Sequence, residues 1–415
     1  MKKVFYIKDN IKNKISYSHL LFFLCALPFD RIYSTIILIS FLIHTIIFLN
    51  KKELKNINGT TFILQSVFYI TIVSATYAPS ISNSLNVAGK QMAVFIFPLL
   101  FAVISLDLAN YRSRLMHGLT ITCTLTIIYL YFDAIHVIIH NKLPLKELFS
   151  MAFVNQNFSL PIDMHATYLS MLLVLSIVYS LQQLFYSQPP KKLYFITCSI
   201  ILFAGLIQLS SKSALFALLI IIIIGFSWFL VRKENRYQFM FTSLTLSVLL
   251  ITFILSFQVF RNRYVITLKN DLYGNRGLVI MNGRFDRWST AIDLIKRSPF
   301  IGTGSGSEVP LLRQSYFEKK MYGPYLFSLN AHNQYLSFLI NSGVIGLIIY
   351  LITLSWGLWQ AIKNRDILLF SFIVLITVIS FSEDLLDVNK GIFFYAFFFP
   401  FFYQSIRKPV SIIII

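Results

Sequence analysis

The sequence predicts an all-α polytopic membrane protein, and three observations predict it. Hydrophobic residues make up 56% of the 415 and charged residues only 13%, about half the charged share of an ordinary soluble domain. Apolar runs near the roughly 20 residues that cross a hydrocarbon core recur along the chain. Lys and Arg gather in alternate connections, which is the signature of a fixed orientation in a bilayer.

Twelve runs are expected to span, at about 17–29, 33–49, 60–78, 87–105, 116–139, 164–185, 193–209, 212–231, 239–260, 332–360, 367–382 and 389–405, the first of them short. The polar N-terminal stretch has no small-residue cleavage site, so no removable signal peptide is expected. Lys2, Lys3, Lys8, Lys12, Lys14, Lys51, Lys52, Lys55, Arg112, Arg114, Lys191, Lys192, Arg232, Lys233, Arg236, Lys363, Arg365, Arg407 and Lys408 all fall on one side of this map. The short connections of the other side hold Arg31, Lys142, Lys146 and a few residues at helix ends. Both termini are therefore expected in the cytoplasm, and the long polar stretch 261–331 between the ninth and tenth spans faces outward. The chain reads as a single domain over 1–415, without internal repeats. A second outward segment, 140–163, carries Pro144 and Pro161 and is expected to pack against the long loop.

The net charge of +19 is mostly this topology signal and does not point to nucleic acid. From Arg261 to Asn330, however, eleven Lys and Arg face five Asp and Glu. Long translocated loops largely escape the orientation rule, so this charge needs another cause. A cationic platform beside a membrane suits a phosphate-bearing substrate; attraction to anionic headgroups is the plainer alternative. Cys25, Cys123 and Cys198 lie inside apolar spans without paired spacing, which supports neither a disulfide framework nor a zinc site.

Ionisable groups at membrane depth are costly and usually functional. Lys90, His165, Lys212, His332, Glu383, Asp384, Asp387 and Lys390 all map near the outer ends of spans and are candidates for one shared cavity, with snorkelling as the alternative for each alone. Ser210, Ser211 and Ser213 give Lys212 a polar surround. Asp133, inside the fifth span, is expected to pair with His136 or a neighbouring helix.

Within the long loop, Gly283 to Arg297 reads as an amphipathic helix stopped by Ser298-Pro299. At about 100° per residue, Phe285, Trp288, Ala291, Ile292 and Ile295 share a face, with Asp286, Asp293 and Arg297 opposite. Arg284 projects into the apolar arc and Arg287 onto its margin, the wrong side for two solvated cations. A guanidinium pair one turn apart makes a pyrophosphate clamp; a frayed helix with a snorkelling arginine is the other reading. Gly302-Thr-Gly304-Ser-Gly306 is a turn-maker or, more weakly, an anion cradle. His332 stands at the mouth of the tenth span with Tyr335 one turn on and Asn333 and Gln334 beside it. Imidazole titrates near neutrality, so it suits proton transfer from an attacking hydroxyl, though a cap role is commoner for a lone histidine at a helix entry.

The ordered set Gly283-Arg284-Phe-Asp-Arg287-Trp288-Ser-Thr-Ala291, Ser298-Pro299-Phe-Ile-Gly302-Thr-Gly304-Ser-Gly306, His332-Asn333-Gln334-Tyr335-Leu336 and Ser342-Gly343-Val-Ile-Gly346 resembles the O-antigen ligase superfamily of bacterial envelope glycosyltransferases. The resemblance implies a GT-C-type fold of about 12 transmembrane helices in the bacterial inner membrane, with a long periplasmic loop between helices 9 and 10. It also implies a metal-independent reaction without cofactor and a glycan donor on undecaprenyl pyrophosphate. Carried over, Arg284, alone or with Arg287, binds the pyrophosphate and His332 activates the acceptor hydroxyl or stabilises the departing phosphate, which makes Arg284 and His332 the catalytic pair; Lys212 stands where ligases often place an arginine, and Arg287, Lys212, His165 and Tyr335 are the substrate-binding candidates. Direct attack by the acceptor hydroxyl inverts the anomeric centre, and the loop holds no paired carboxylates of the kind that form a glycosyl-enzyme, a role for which Glu383 and Asp384 are the lesser alternative. Ligation to lipid A core is the first expectation, O-antigen polymerisation the second, and a transporter or flippase of lipid-linked sugars the third; the missing repeats disfavour the last.

Overall fold

In a computed structural model, residues 4, 6–29, 31–276 and 280–406 are described; Lys2, Lys3, Arg407 and Lys408 of the cationic pattern lie outside them. The chain is built from helices. They are α1 Ile11–Ala26, α2 Arg31–Ile47, α3 in two pieces (Gly59–Leu64 and Ser66–Ala75), α4 Ile81–Val103, α5 Leu108–His140, α6 Ala166–Tyr186, α7 Lys191–Leu209, α8 Lys212–Phe229, α9 Arg236–Ser256, α10 Arg284–Ile295, α11 Glu308–Glu318, α12 Tyr322–Leu326, α13 Gln334–Lys363, α14 Ile367–Ile379 and α15 Asn389–Gln404. A two-residue antiparallel pair, Asn275–Arg276 with Ile280–Met281, precedes α10.

A helix occupies each of the twelve expected stretches, and seven among the described residues are long and apolar enough to cross a membrane. This is a polytopic membrane protein. The spans start where the sequence supplies caps: Asn10, Asn58, Ser80, Asp107, His165, Asn333 and Asp366 each accept a bond from a first-turn amide, satisfying donors that the helix itself cannot. Burial sorts the spans by position. In α6, 72% of the most apolar stretch is buried, whereas the more apolar helix ending at Ser256 buries none of its stretch.

Polar contacts gather at two ends of the bundle. At one, Lys12 pairs with Glu53 at 2.7 Å, the Tyr111 hydroxyl reaches Asp9 at 3.1 Å, and Arg112 grips Asp366 with both terminal nitrogens. These connections are among those the cation pattern groups together. At the other end, Tyr77 donates to the Ile301 carbonyl at 2.5 Å, Ser84 to that of Ser305 at 2.8 Å, and Gln208 to those of Leu148 and Phe153. The 140–163 segment thus packs on the end of α7, and its Phe149 meets Phe260 just ahead of the long loop.

The stretch 261–331 folds onto this second end around a small core of its own: Ala291, Leu294, Leu312, Tyr316, Met321, Ala331 and Ile340. α10 buries only part of the apolar face expected for it: Ala291 is buried and Trp288 and Ile295 pack half-buried on this core. Arg287, Thr290, Ala291 and Leu294 turn inward, while Phe285 and Ile292 are exposed. The helix is rotated because the guanidinium of Arg287 and the indole of Trp288 are recruited by the carbonyls of Asn330 and Ala331.

α13 is broken at Gly343, whose φ is +63. A Cβ there would lie 2.2 Å from the Phe300 carbonyl oxygen, so glycine is required. The break frees backbone groups, and the glycine run of the loop satisfies them: Thr303 and Gly304 amides donate to the carbonyls of Ile340 and Asn341, and the Val344 amide to that of Pro299. Irregular backbone at this depth is tolerated only with such pairing. The same bonds dispose of the anion-cradle reading, because the amides from Gly302 to Ser305 are all spent on protein carbonyls.

Asp133 is half-buried and makes no ion pair or hydrogen bond among the described residues; His136 stacks on His140 instead. The expected pairing of Asp133 with His136 is absent among the described residues.

Candidate active site

The site forms where α10, the start of α13 and the turn between α14 and α15 converge. Each word of His332-Asn333-Gln334 has its own part. Asn333 caps α13 through the amides of Tyr335 and Leu336 at 3.0 and 3.2 Å. Gln334 clamps the neighbouring turn at both ends: its amide donates to the Ser380 carbonyl at 2.8 Å, and its side chain accepts from the Leu386 amide at 2.7 Å. That turn carries Ser382, Glu383 and Asp384. His332 sits before the cap with φ +48, a left-handed backbone costing about 1–3 kcal/mol that persists only where surroundings enforce it. Its neighbours do so through Trp288 on the Ala331 carbonyl at 2.9 Å and Glu308 on the Ala331 amide at 3.1 Å.

The imidazole Nδ1 of His332 faces Glu383 Oε2 at 3.5 Å, with a third of the His332 side chain open. Burial raises the Glu383 carboxyl, but His332, His165 and Arg284 together outweigh it and hold the group below its usual range. His165, the cap of α6, accepts from the Thr167 amide through Nδ1 and lies within electrostatic reach of the same carboxylate; burial, opposed by Glu383, lowers its affinity for a proton. Arg284 donates to the Ser382 carbonyl at 2.6 Å and lies 3.0 Å from Asp271 through Nε, a contact without hydrogen-bond alignment. Ser382 in turn bonds Ser213 at 2.9 Å, which joins the start of α8 to the site. Lys212 lies within electrostatic reach of Arg263, Asp271 and Arg284.

Of the residues picked from sequence, His332, Arg284, His165 and Lys212 therefore converge. Arg287 lies beneath them, 5% exposed, its guanidinium 3.4 Å from the Asn330 carbonyl. Burial, with Arg284 alongside, weakens its hold on its proton. Tyr335 points elsewhere: its hydroxyl is bound to the Thr377 carbonyl at 2.8 Å and its ring packs on Phe381. The eight outer ionisable groups do not share one cavity. Lys90 and Asp387 pair with each other at 3.4 Å and line a cavity whose wall does not include His332, and Lys390 contacts the Leu27 carbonyl.

Two functional positions escaped the sequence reading. Asp271 gave no signal, being one acid in a basic loop. Glu308 is 6% exposed, and its burial raises its carboxyl; it follows a glycine run, which hides it as a loop residue. Asn341, a lone amide in an apolar helix, was the available clue, since it reaches Glu308 at 3.5 Å.

The fold is that of a polytopic membrane protein, and the candidate site gathers cations and a histidine at one end of it. Residues 197–351, somewhat more than a third of the chain, match the family model for O-antigen ligase. The match bears out the resemblance to the O-antigen ligase superfamily and contains both Arg284 and His332. The enzyme class is thus that of ligase- and polymerase-type glycosyltransferases, which work on a lipid-linked glycan and an acceptor. No curated protein matches the chain.

Proposed function

We propose that this protein transfers a completed glycan from undecaprenyl pyrophosphate to a hydroxyl of lipid A core, by direct inverting attack, without metal, on the periplasmic side of the bacterial inner membrane, in a GT-C-type single-domain fold with both termini in the cytoplasm. The observation that carries it is the meeting of His332, Glu383 and Arg284 beside a membrane. Pyrophosphate is already a good leaving group, so the protein has mainly to hold it, neutralise the departing charge and deliver the hydroxyl in line.

Arg284, with Lys212 behind it, grips the diphosphate. His332 takes the acceptor proton through Nε2 as the new C1–O bond forms and the C1–O–phosphate bond breaks, the electron pair leaving with the diphosphate. Glu383 faces Nδ1 and stabilises the imidazolium, while His165 adjusts the charge of the same carboxylate. Arg287 and Trp288 hold the backbone of Asn330 and Ala331, and Tyr335 anchors the helix behind.

The test is reconstitution of purified protein with labelled carrier-linked glycan and core acceptor. A new glycosidic bond, formed in the presence of a chelator, is the expected result, and its absence overturns the reading. Gene deletion separates the acceptors: a lost ligase leaves bare core while long carrier-linked chains persist, and a lost polymerase leaves core bearing a single repeat. Labelling of cysteines introduced at 284 and 332 from outside the inner membrane tests the orientation.

A further inference from the structure

A cavity of about 290 Å³ shares α13 with the site but is walled by a different chemistry. Asn83, Asn86 and Gln91 of α4, Gln334 and Asn341 of α13, and Asp387 line it. Its charges are already committed. Lys90 is paired with Asp387, and Glu308 is bonded to Ala331 and Asn341, so the cavity is not a second diphosphate site.

Gln91 and Gln334 hold its wall rigid by bonding the carbonyl and the amide of Leu386 at 3.0 and 2.7 Å. The side-chain amides of Asn83 and Asn86, at the mouth, make no hydrogen bond among the described residues. An amide offers donors and an acceptor together, as a sugar hydroxyl does. Val87, Val309 and Pro310 supply apolar surface in the same cavity for the C–H face of a ring. The volume sits at the low end of ligand pockets, roughly 300–1,000 Å³, so it suits about one ring and no large lipid. The cavity also adjoins the chemistry: Gln334 is two residues past His332, and Glu308 holds the amide next to it.

We propose that this cavity is a sugar subsite, taking one pyranose-sized ring through hydroxyl bonds to Asn83 and Asn86 while the neighbouring residue of the glycan lies at His332. The proposal rests on the glycosyl-transfer reading for its ligand class. Donor glycan and acceptor glycan present the same chemistry, so the experiment carries one arm for each. Full-length protein in detergent is mixed with the repeat unit released by mild acid from the lipid carrier of the source cells, or with lipid-free core oligosaccharide, and bound sugar is read by saturation-transfer NMR.

One of the two probes is expected to bind wild type, to lose about tenfold or more in affinity with Asn83→Ala/Asn86→Ala, and to lose all signal with Asn86→Trp. Undiminished binding in both cavity variants overturns the subsite, as does wild type that binds neither probe. Because binding needs no transfer, a protein that holds sugar here yet forms no glycosidic bond sinks the enzymatic reading and leaves the subsite standing.

Discussion

Two arginines at opposite ends of the molecule show how differently a buried guanidinium can be used. Arg112 gives both terminal nitrogens to Asp366, stacks over Phe402 at 5.1 Å, and meets a carboxylate that also caps α14 through Leu368 and Leu369. Arg284 gives one terminal nitrogen to a backbone carbonyl and shares a poorly aligned acid with other cations. A bidentate, capped pair is a structural clamp. A fork held at one prong beside Lys212, Arg287 and a histidine keeps its geometry for an anion that arrives from outside. The lesson is that exposure alone does not separate the two, since both side chains are 16% exposed; the completeness of the hydrogen bonding does.

The sharpest break of this comparison comes from activity. Arg284→Ala and His332→Ala are each expected to lower transfer by about 10² or more, the scale of removing a charge clamp or a general base, with normal accumulation in the membrane. Arg284→Lys restores charge without the fork and is expected to recover only a minor part. Near-wild-type rates for either alanine variant, measured with saturating donor, would place that residue with Arg112 as structure.

Arg112→Ala is expected to do the reverse. Removing one partner of a buried pair leaves the other uncompensated and costs about 3–5 kcal/mol, so melting in detergent should fall by several degrees while the folded fraction keeps its specific activity. A loss of turnover with unchanged melting would erase the distinction between the two ends.

A smaller effect follows from the acids under the site. Asp384 is 2% exposed; burial first, then Glu308, Asp387 and Glu383, push its carboxyl well above the ordinary range, and Glu308 shifts the same way. An acid whose folded pKa is raised contributes stability that is complete below its unfolded value, near 4, and is lost as pH rises through the folded value. Wild type should therefore lose melting temperature from about pH 4 upward, and Asp384→Asn should flatten that slope. Glu383 is shifted downward, so its contribution fades only as pH falls below the same window. Parallel curves for wild type and Asp384→Asn would show that the acid carries no folding-linked proton.

How much of this was legible before any coordinates depends on which physics was asked. Spans follow from hydropathy and length, and the two ends follow from Lys and Arg, because both are local sums along the chain. His332, His165 and Lys212 were legible because a charge at a bilayer boundary is conspicuous, and Arg284 because it projects into the apolar arc of an amphipathic helix. The rotation of α10 was not, since a hydrophobic arc predicts the inward face only when nothing polar competes, and here Asn330 and Ala331 offer carbonyls to Arg287 and Trp288. The break in α13 was hidden for a related reason. Gly343 looks like an ordinary small residue in a span, and its strain is visible only once Phe300 is known to press against it. The splitting of the outer charges into two groups also needs the fold, because Lys90 and Asp387 are brought together across nearly the whole chain.

The smallest expected effect tests whether an isolated charge at depth belongs to either kind. Asp133 is a carboxyl in the C-terminal third of α5 with no partner among the described residues, and it lies between Phe132, which is exposed, and Ala134, which is buried. Were it functional, it would resemble Arg284 and depend on neighbours placed for a ligand; were it a clamp, it would resemble Arg112 and hold a second helix. It touches neither kind of neighbour. Asp133→Asn should then leave transfer within about twofold and change stability by no more than about 0.5 kcal/mol, the usual range for a residue outside a packed or bonded feature. A large loss of turnover at constant melting temperature would instead make Asp133 part of a second polar path through the membrane, and the division of charges into clamp and site would have to admit a third use.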